Sequence, residues 1–303
     1  MKRMMILLCV LCLLCGCQKT QEPVSKQVWA MDTYMELKVW GADAEDALSQ
    51  VEAMILELEQ QWSVSKPSSF INAPENITPE AKNLMEILQA LSEYTDGAYD
   101  PTLGAVSAAW GFPTKQYKVP TQQELTAAME NRKWDMGAAL KGFAGRQAVM
   151  LLENARVDCG ILSLGGNVQT FGTKPDGGPW QIGIQNPKGG DPVGIVSVTG
   201  TMAVVTSGDY QRYFEQDGVR YHHIIDPATG YPADSGLTSV TVICNDGLKA
   251  DVLSTALFVM GMEKATEFWK LDKGFEAVFI TTEGKLYATA GVDLTGCQYE
   301  VIQ

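Results

Sequence analysis

GAALKGFAGRQAVMLLENARVDCGILSL, residues 137–164, contains a change from a helical to a strand pattern, and the fold-class prediction rests on that change. Residues 137–155 space their apolar side chains as a helix does, whereas from Val157 onward apolar residues fall in the short runs of strands. Helical patterns dominate before this stretch. After it, short strands broken by GG, NP and DG turns continue to about residue 242. Because helices and strands occur in blocks and do not alternate, the sequence predicts an α+β fold with a largely antiparallel or mixed sheet and packed helices.

The flanking stretches complete this prediction. VWAMDTYMELKVW (28–40) alternates apolar and polar residues and predicts a strand. Helical spacing with start and stop residues predicts helices over 44–62, 78–97, 121–131, 247–261 and 262–272. Residues 276–289 predict the last strands.

Composition narrows the class of function. The 303 residues carry 23 basic and 36 acidic side chains, a formal net charge of −13. Nucleic-acid binding relies on basic patches that face phosphates, so this balance argues against it. A phosphate-bearing ligand stays possible if a metal ion supplies the missing positive charge.

The N-terminus resembles a bacterial lipoprotein signal. A basic start, MKR, precedes a short apolar run and then LCGC (14–17), which predicts cleavage before Cys17 and lipidation of that cysteine. The expected organisation is a signal peptide over 1–17, a tether over 18–27 and one domain over 28–303. The alternative is an uncleaved membrane anchor. Either arrangement places the domain outside the cytoplasm, anchored to the bacterial membrane.

Two features suggest a site for phosphates. Asp251 and Thr255 are four residues apart, so a helix places both oxygen donors on one face, as a Mg²⁺ site requires. KWDMGAALKGFAGRQA (133–148) reads as a strand end, a turn of small residues and a helix start with Lys141, which together favour an anion. Each pattern alone also fits an ordinary polar helix face or a plain strand-to-helix connection.

The chain has only two histidines, His222 and His223, and they are neighbours. Neighbouring residues of a strand point to opposite faces, so only one of the two can face a given site. Taken alone, a histidine among apolar neighbours is more often structural than catalytic.

Seven motifs in order, from about residue 28 to the C-terminus, resemble those of the FAD:protein FMN transferase (ApbE) family. They are AMDTYMEL (30–37), AYDPTLGAVSAAWGF (98–112), KWDMGAALKGFA (133–144), SLGGN (163–167), TSGDYQRYF (206–214), HHIIDPATGYP (222–232) and KADVLSTALFVMG (249–261). The resemblance implies a T-fold-like architecture for the domain.

The resemblance also implies an activity. Family members use Mg²⁺ to transfer FMN from FAD onto a threonine hydroxyl of an acceptor flavoprotein, with release of AMP. The implied acceptors carry a Ser/Asp-Gly-Ala-Thr-type site, as in Rnf- and Nqr-type subunits or other exported FMN-carrying domains.

The family's functional residues map onto this chain by position. The resemblance makes His223 the general base. The implied FAD-binding residues are Met31, Ala98, Tyr99, Asp100, Asp135, Lys141 and Ile225. The implied metal ligands are Ala138, through its carbonyl, Asp251 and Thr255.

One segment departs from the family pattern. WSVSKPSSFIN (62–72) is about three residues shorter than its counterpart and lacks an acidic pair. Since that stretch borders the flavin site in relatives, hydrolysis of FAD to FMN and AMP is an alternative reading. A flavin-binding lipoprotein without catalysis is the second alternative.

Overall fold

A computed structural model describes residues 22–303, so the expected signal peptide and Cys17 lie outside the described residues. The helices of this range are α1 (Ala44–Trp62), α2 (Pro79–Tyr94), α3 (Gly104–Ala109), α4 (Gln122–Glu130), α5 (Leu140–Asn154) and α6 (Gly247–Leu271). A 3-10 turn spans Pro74–Asn76.

The strands are β1 (Val24–Ala30), β2 (Thr33–Gly41), β3 (Val157–Leu164), β4 (Asn167–Phe171), β5 (Trp180–Ile184), β6 (Gly194–Val198), β7 (Met202–Gly208), β8 (Tyr213–Gln216), β9 (Val219–His222), β10 (Leu237–Cys244), β11 (Glu276–Thr281), β12 (Leu286–Thr289), β13 (Leu294–Thr295) and β14 (Glu300–Ile302). Nine of them form one sheet in the order β1-β2-β3-β4-β7-β10-β11-β12-β14. Among the paired strands of residues 22–303, only β12 and β14 run parallel, which confirms the predicted α+β class.

The large sheet is the middle of three layers. Alternate residues of its strands face opposite sides, as in β7, where Val205 packs with α6 and Val204 packs with the small sheet β13-β6-β5. Helices α1 and α5 cover the half of the sheet that holds β1 to β3, and α6 covers β7, β10 and β11. Burial on both faces explains why the central strands read as nearly continuous apolar runs.

Local chemistry sets the helix boundaries. Thr78 caps α2 by accepting the N–H of Ala81 at 3.2 Å. Thr121 and Glu124 form a reciprocal capping box at the start of α4. The two helices predicted over 247–261 and 262–272 are confirmed, because α6 is interrupted by a kink at Gly261, where φ is 73° and the backbone is left-handed.

The predicted strand over 28–40 is wrong as a single strand, because it is the hairpin β1–β2. Met31 and Asp32 form its two-residue turn with φ of 53° and 58°, and Ala30 pairs with Thr33. Such turns prefer Asn-Gly or Asp-Gly, so the pattern of alternation gives no sign of this one. Strand β1 begins at Val24, inside the range 18–27 that was expected to be a tether.

Helices α3 and α4 form a small unit beside the two-stranded ribbon β8–β9. Its core includes Trp110, Phe112 and Leu125, which contact Ile225. None of the helices in residues 22–303 combines the length and the hydropathy needed to cross a bilayer.

Candidate active site

Asp251 joins α6 to the first turn of α5. Its Oδ2 accepts the backbone N–H of Gly142 at 2.7 Å, and the side chain is buried. The residue before α5 is Ala139, whose side chain cannot cap the helix, so Asp251 satisfies one of the free N–H groups of this helix start. This hydrogen bond uses Oδ2 and leaves Oδ1 for a cation.

Glycine makes this helix crossing possible. A Cβ on Gly142 would lie 2.3 Å from the carbonyl oxygen of Gly247 and 2.6 Å from the Cβ of Asp251. Gln169 fills the remaining space and donates its Nε2 to the Gly142 carbonyl at 3.2 Å. The small residues after Lys141 therefore serve close packing of α5 on α6, which fixes the Asp251 carboxylate.

Thr255 lies one helical turn after Asp251 and is half-buried. Its Oγ1 is 3.2 Å from Oγ of Ser207, which also lies 2.7 Å from Oγ of Ser254. Ser207 belongs to the TSGDY motif near the end of β7. The hydroxyls of α6 and β7 thus continue the row of oxygen donors that begins at Asp251.

The turn before α5 and the first turn of α5 hold three of the expected site residues. Asp135 accepts the N–H of Gly137 at 2.8 Å through Oδ1, and Lys141 places Nζ 3.5 Å from the Gly137 carbonyl. Ala138, between them in sequence, is half-buried. The strand end expected at residues 134–135 is wrong, since this segment forms no sheet strand and is held by an isolated bridge between Lys133 and Leu103.

Tyr99 is buried close to three carboxylates of the candidate site. Burial raises its pKa well above the usual value, and the negative charges of Asp135, Asp251 and Asp100 raise it further. Its hydroxyl is buried and has no hydrogen-bond partner among the residues that the structure describes. Local sequence patterns do not predict this placement, because the carboxylates belong to separate segments of the chain.

Asp100 has both carboxylate oxygens engaged. Oδ1 accepts the backbone N–H and the hydroxyl of Thr102 at 2.8 Å and 2.6 Å, and Oδ2 accepts from Arg132. Ala98 is half-buried and packs against the core under α1 and α5. The Ala98–Asp100 turn is therefore held rigidly next to the turn that contains Asp135.

Met31 lies in the strained hairpin turn. A left-handed conformation is unusual for a residue other than Gly, Asn or Asp and is found mostly where the surrounding structure enforces it. Here the backbone N–H of Met31 donates to Oε1 of Glu59 on α1 at 2.9 Å. The SLGG turn also packs against the hairpin, because a Cβ on Gly165 would lie 2.0 Å from Oγ1 of Thr33.

His222 has both ring nitrogens engaged. It is buried at the end of β9, its Nδ1 accepts the N–H of Ile224 at 3.3 Å, and its Nε2 donates to the Ala233 carbonyl at 3.1 Å. The ring also packs edge-on against Phe258 with centroids 5.5 Å apart. This pattern requires a neutral imidazole and describes a structural histidine.

His223 has a different arrangement. Its Nδ1 lies 3.1 Å from the carbonyl oxygen of Arg212, an acceptor, so Nδ1 carries the proton and Nε2 is the basic nitrogen. Within residues 22–303 the hydrogen bonds of this ring engage Nδ1 alone. Burial, together with the positive charges of Arg212 and Lys141, lowers the pKa of His223 to about 3.

Ile225 has a buried side chain in the core of the small unit, so its backbone is the part that a ligand can reach. The turn after it is rigid: Asp226 accepts the N–H of Ala228 at 2.9 Å, and Trp110 donates Nε1 to the Gly230 carbonyl at 2.8 Å. These contacts hold the segment that carries His223.

The short 62–72 segment is a closed loop. Asn72 donates Nδ2 to the carbonyls of Val64 and Lys66 at 2.9 Å and 2.8 Å. Its two aromatic side chains, Trp62 and Phe70, are buried and pack edge to face with centroids 5.1 Å apart.

The oxygen donors expected from the sequence, on Asp251, Thr255 and Ala138, are of the kind that fits a small divalent cation. Residues 22–303 contain no cluster of three His, Cys, Asp or Glu side chains of the kind that holds a metal unaided. The candidates here are one carboxylate, the Thr255 hydroxyl and the Ala138 carbonyl, all of them hard oxygen donors. Mg²⁺ is bound in this way when substrate phosphates and water complete its coordination.

Comparisons with known proteins agree on one family. Residues 31–279 match the model of the ApbE family. An FAD:protein FMN transferase of Treponema pallidum is 29% identical over 96% of this chain and 94% of its own length. One from Haemophilus influenzae is 31% identical over 84% of this chain and 85% of its own length.

Solved structures show the same fold. The ApbE protein from Thermotoga maritima superposes with a TM-score of 0.79 at 30% identity, covering 88% of this chain and 96% of its own. The flavin transferase ApbE from Vibrio cholerae gives a TM-score of 0.77 at 27% identity and covers 89% of this chain and 97% of its own.

Proposed function

Since this chain belongs to the ApbE family and is a transferase, we propose that it moves FMN from FAD onto a threonine hydroxyl of an acceptor flavoprotein and releases AMP. The observation that carries this proposal is the state of His223. The residue has a neutral ring, its proton is held on Nδ1, and its Nε2 is left to accept a proton. His222, with both nitrogens engaged, has no such capacity.

His223 acts as the general base on the acceptor hydroxyl. The threonine proton passes to Nε2 as the threonine oxygen forms a bond to the phosphorus of the FMN half of FAD. The bond from that phosphorus to the bridging oxygen breaks, and AMP leaves with the electron pair. The imidazolium then gives its proton to solvent, and Arg212 keeps the ring oriented through its carbonyl throughout.

Asp251, Thr255 and the Ala138 carbonyl are the residues that would hold Mg²⁺. A bound Mg²⁺ supplies positive charge to the pyrophosphate and makes its phosphorus more electrophilic. The protein's contribution is to fix these donors, since Asp251 is tied to Gly142 and Thr255 to Ser207. Transfer of this kind depends more on positioning and electrostatics than on covalent help.

The remaining site residues bind FAD. Lys141 supplies a positive charge next to the α5 start, and Asp135, Met31 and the Ala98–Asp100 turn line the pocket. Each is held by contacts that do not need a ligand, such as the Gly137 N–H on Asp135 and the Glu59 carboxylate on Met31. Such a site is organised before FAD arrives.

The acceptor and the location are part of the proposal. The acceptor is an exported domain with a Ser/Asp-Gly-Ala-Thr-type site, as in Rnf- and Nqr-type subunits. The enzyme is anchored outside the cytoplasm by lipid on Cys17, which is supported by the LCGC sequence at residues 14–17.

Incubation of residues 22–303 with FAD, Mg²⁺ and an acceptor domain tests the reaction. Covalent fluorescent flavin on the acceptor together with one AMP per flavin is the expected result. Free FMN and AMP without labelled acceptor would identify a hydrolase, and FAD recovered unchanged with every divalent metal would reduce the protein to a flavin binder. A chelator control must abolish labelling if the metal is required.

A further inference from the structure

A polar cavity of about 310 Å³ includes in its lining Asp32, which follows Met31 in sequence, and Arg212, whose carbonyl contacts His223. It is lined by Asp32, Lys115, Tyr117, Gln211, Arg212 and Tyr213. These residues come from the β1–β2 turn, the loop after α3 and the segment that enters β8. The FAD and metal residues assigned above do not line it, so the cavity is available for another molecule.

The cavity has a surplus of positive charge. Asp32 lies 3.3 Å from Nζ of Lys115 through Oδ1 and 3.8 Å from the guanidinium of Arg212 through Oδ2. Two cations therefore share one carboxylate, in a chain whose formal net charge is −13. The single carboxylate of Asp32 cannot neutralise both cations. The cavity therefore favours a second anion, which would pair with Lys115 or Arg212.

The cavity is also connected to the proposed base. The carbonyl of Arg212 accepts from the backbone N–H and from Nδ1 of His223, both at 3.1 Å. The residue whose guanidinium lines the cavity thus orients the imidazole. A polypeptide whose threonine reaches Nε2 of His223 has its neighbouring residues close to this cavity.

Tyr117 and Tyr213 line the cavity, and the hairpin that carries Asp32 presents two further exposed aromatic side chains. Trp29 and Tyr34 face each other across the hairpin that contains Asp32 and are 68% and 50% exposed. Tyr117, at the cavity wall, stacks on Phe214 with centroids 5.3 Å apart and planes 6° apart. Rigid aromatic groups next to arginine are typical of protein-binding surfaces.

We propose that this cavity receives a carboxylate side chain of the acceptor protein, located within a few residues of the threonine that becomes flavinylated. The carboxylate lies between Lys115 and Arg212, and the aromatic side chains contact the adjoining acceptor surface. This inference rests on the proposed function, since it assigns the docking site of the same acceptor.

Two substitutions with opposite effects test the charge argument. Lys115→Gln removes one cation, and Asp32→Asn removes the competing carboxylate while placing asparagine in a left-handed conformation that it tolerates well. Lys285→Gln is the matched control. Lys285 also pairs with one carboxylate, Glu283 at 3.2 Å, and its side chain is 60% exposed, as is that of Lys115.

KM for an acceptor with an aspartate beside the threonine, and Kd from fluorescence anisotropy of the same labelled acceptor, are the readouts. We expect Lys115→Gln to raise both about 3- to 10-fold, Asp32→Asn to lower both, and Lys285→Gln to change neither. In each case kcat should change far less than KM. Replacing the acceptor aspartate by asparagine should remove the sensitivity to Lys115, and higher salt should weaken it.

The outcomes separate the two proposals. If the Lys115→Gln and Lys285→Gln variants flavinylate the acceptor with the same KM, the docking inference is overturned and the proposed transfer is not. Equal loss of affinity for the aspartate and asparagine acceptors would also overturn it. Charge-dependent binding of an acceptor that is never flavinylated would support the docking inference and overturn the proposed transfer.

Discussion

Asp251 has two roles in this structure, and two substitutions separate them. Through Oδ2 it pairs the Gly142 N–H at the start of α5, and through its charge and Oδ1 it is proposed to hold Mg²⁺. Asp251→Asn keeps the shape and one oxygen acceptor, so the Gly142 N–H stays paired while the charge is lost. Asp251→Ala loses both.

The structure gives the expected magnitudes. Leaving the buried Gly142 N–H unpaired costs about 1–3 kcal/mol, and the small void left by the Asp251→Ala truncation brings the total loss of unfolding free energy to about 2–4 kcal/mol. For a domain of this size that corresponds to a fall in Tm of about 4–8 °C. Asp251→Asn should stay within about 1 kcal/mol of the wild type, because the hydrogen bond survives.

Thermal unfolding in the absence of metal measures the effect on stability. The rate of FAD turnover, measured as a function of Mg²⁺ concentration, reports the effect on metal binding. Both variants should lose Mg²⁺-dependent turnover by at least about 100-fold, while only the alanine variant loses stability. Asp191→Asn, at an exposed position, is the matched control and should change neither. Full turnover in the asparagine variant would refute the metal assignment, and equal Tm values for the two variants would refute the capping role.

Three further predictions concern the histidines and the helix crossing. His223→Ala should slow flavin transfer by at least about 100-fold, the usual contribution of a general base. His222→Ala should mainly lower Tm. Equal effects of the two substitutions on the transfer rate would contradict the assignment of His223 as the base. Because the chain has two histidines, imidazole NMR signals assigned with these variants should show His223 titrating near pH 3. In the unfolded chain the same imidazole binds its proton near pH 6.5. The free energy of unfolding should therefore decrease as the pH falls from about 6.5 towards 3. A pKa of His223 at or above 6.5 in the free protein would contradict the burial argument. Gly142→Ala should lower the free energy of unfolding by about 1–3 kcal/mol or more, because the added Cβ would clash with a backbone carbonyl. Gly178→Ala is the control and should lower it little, because its Cβ would approach only an exposed aspartate, at 3.2 Å.

Much of the fold was predictable because its elements are encoded locally. Helix α1 has the predicted bounds, and the change from helix to strand falls between Asn154 and Val157. The hairpin turn at Met31 was missed, since its residues are not those that such a turn prefers. Contacts with other parts of the chain stabilise its conformation: the N–H of Met31 donates to Glu59, and the SLGG turn packs against the hairpin.

The sequence suggests which residues form the candidate site, but it does not specify how they are arranged. Motif order identified His223, Asp251 and Lys141 as candidates, and helical spacing placed Thr255 beside Asp251. Which histidine has a free basic nitrogen depends on the Arg212 carbonyl, and this contact arises from the pairing of the segments around β8 and β9.

The α+β class, the extents of most helices and the family could be predicted from the sequence, because periodicity, helix caps and motif order are local features of the chain. The contacts between distant residues, in contrast, depend on the folded structure. The hydrogen bond from Gly142 to Asp251 spans 109 positions, and the cavity of Asp32, Lys115 and Arg212 joins three separate segments. Such contacts depend on which faces of helices and strands pack together, and local sequence does not specify that pairing.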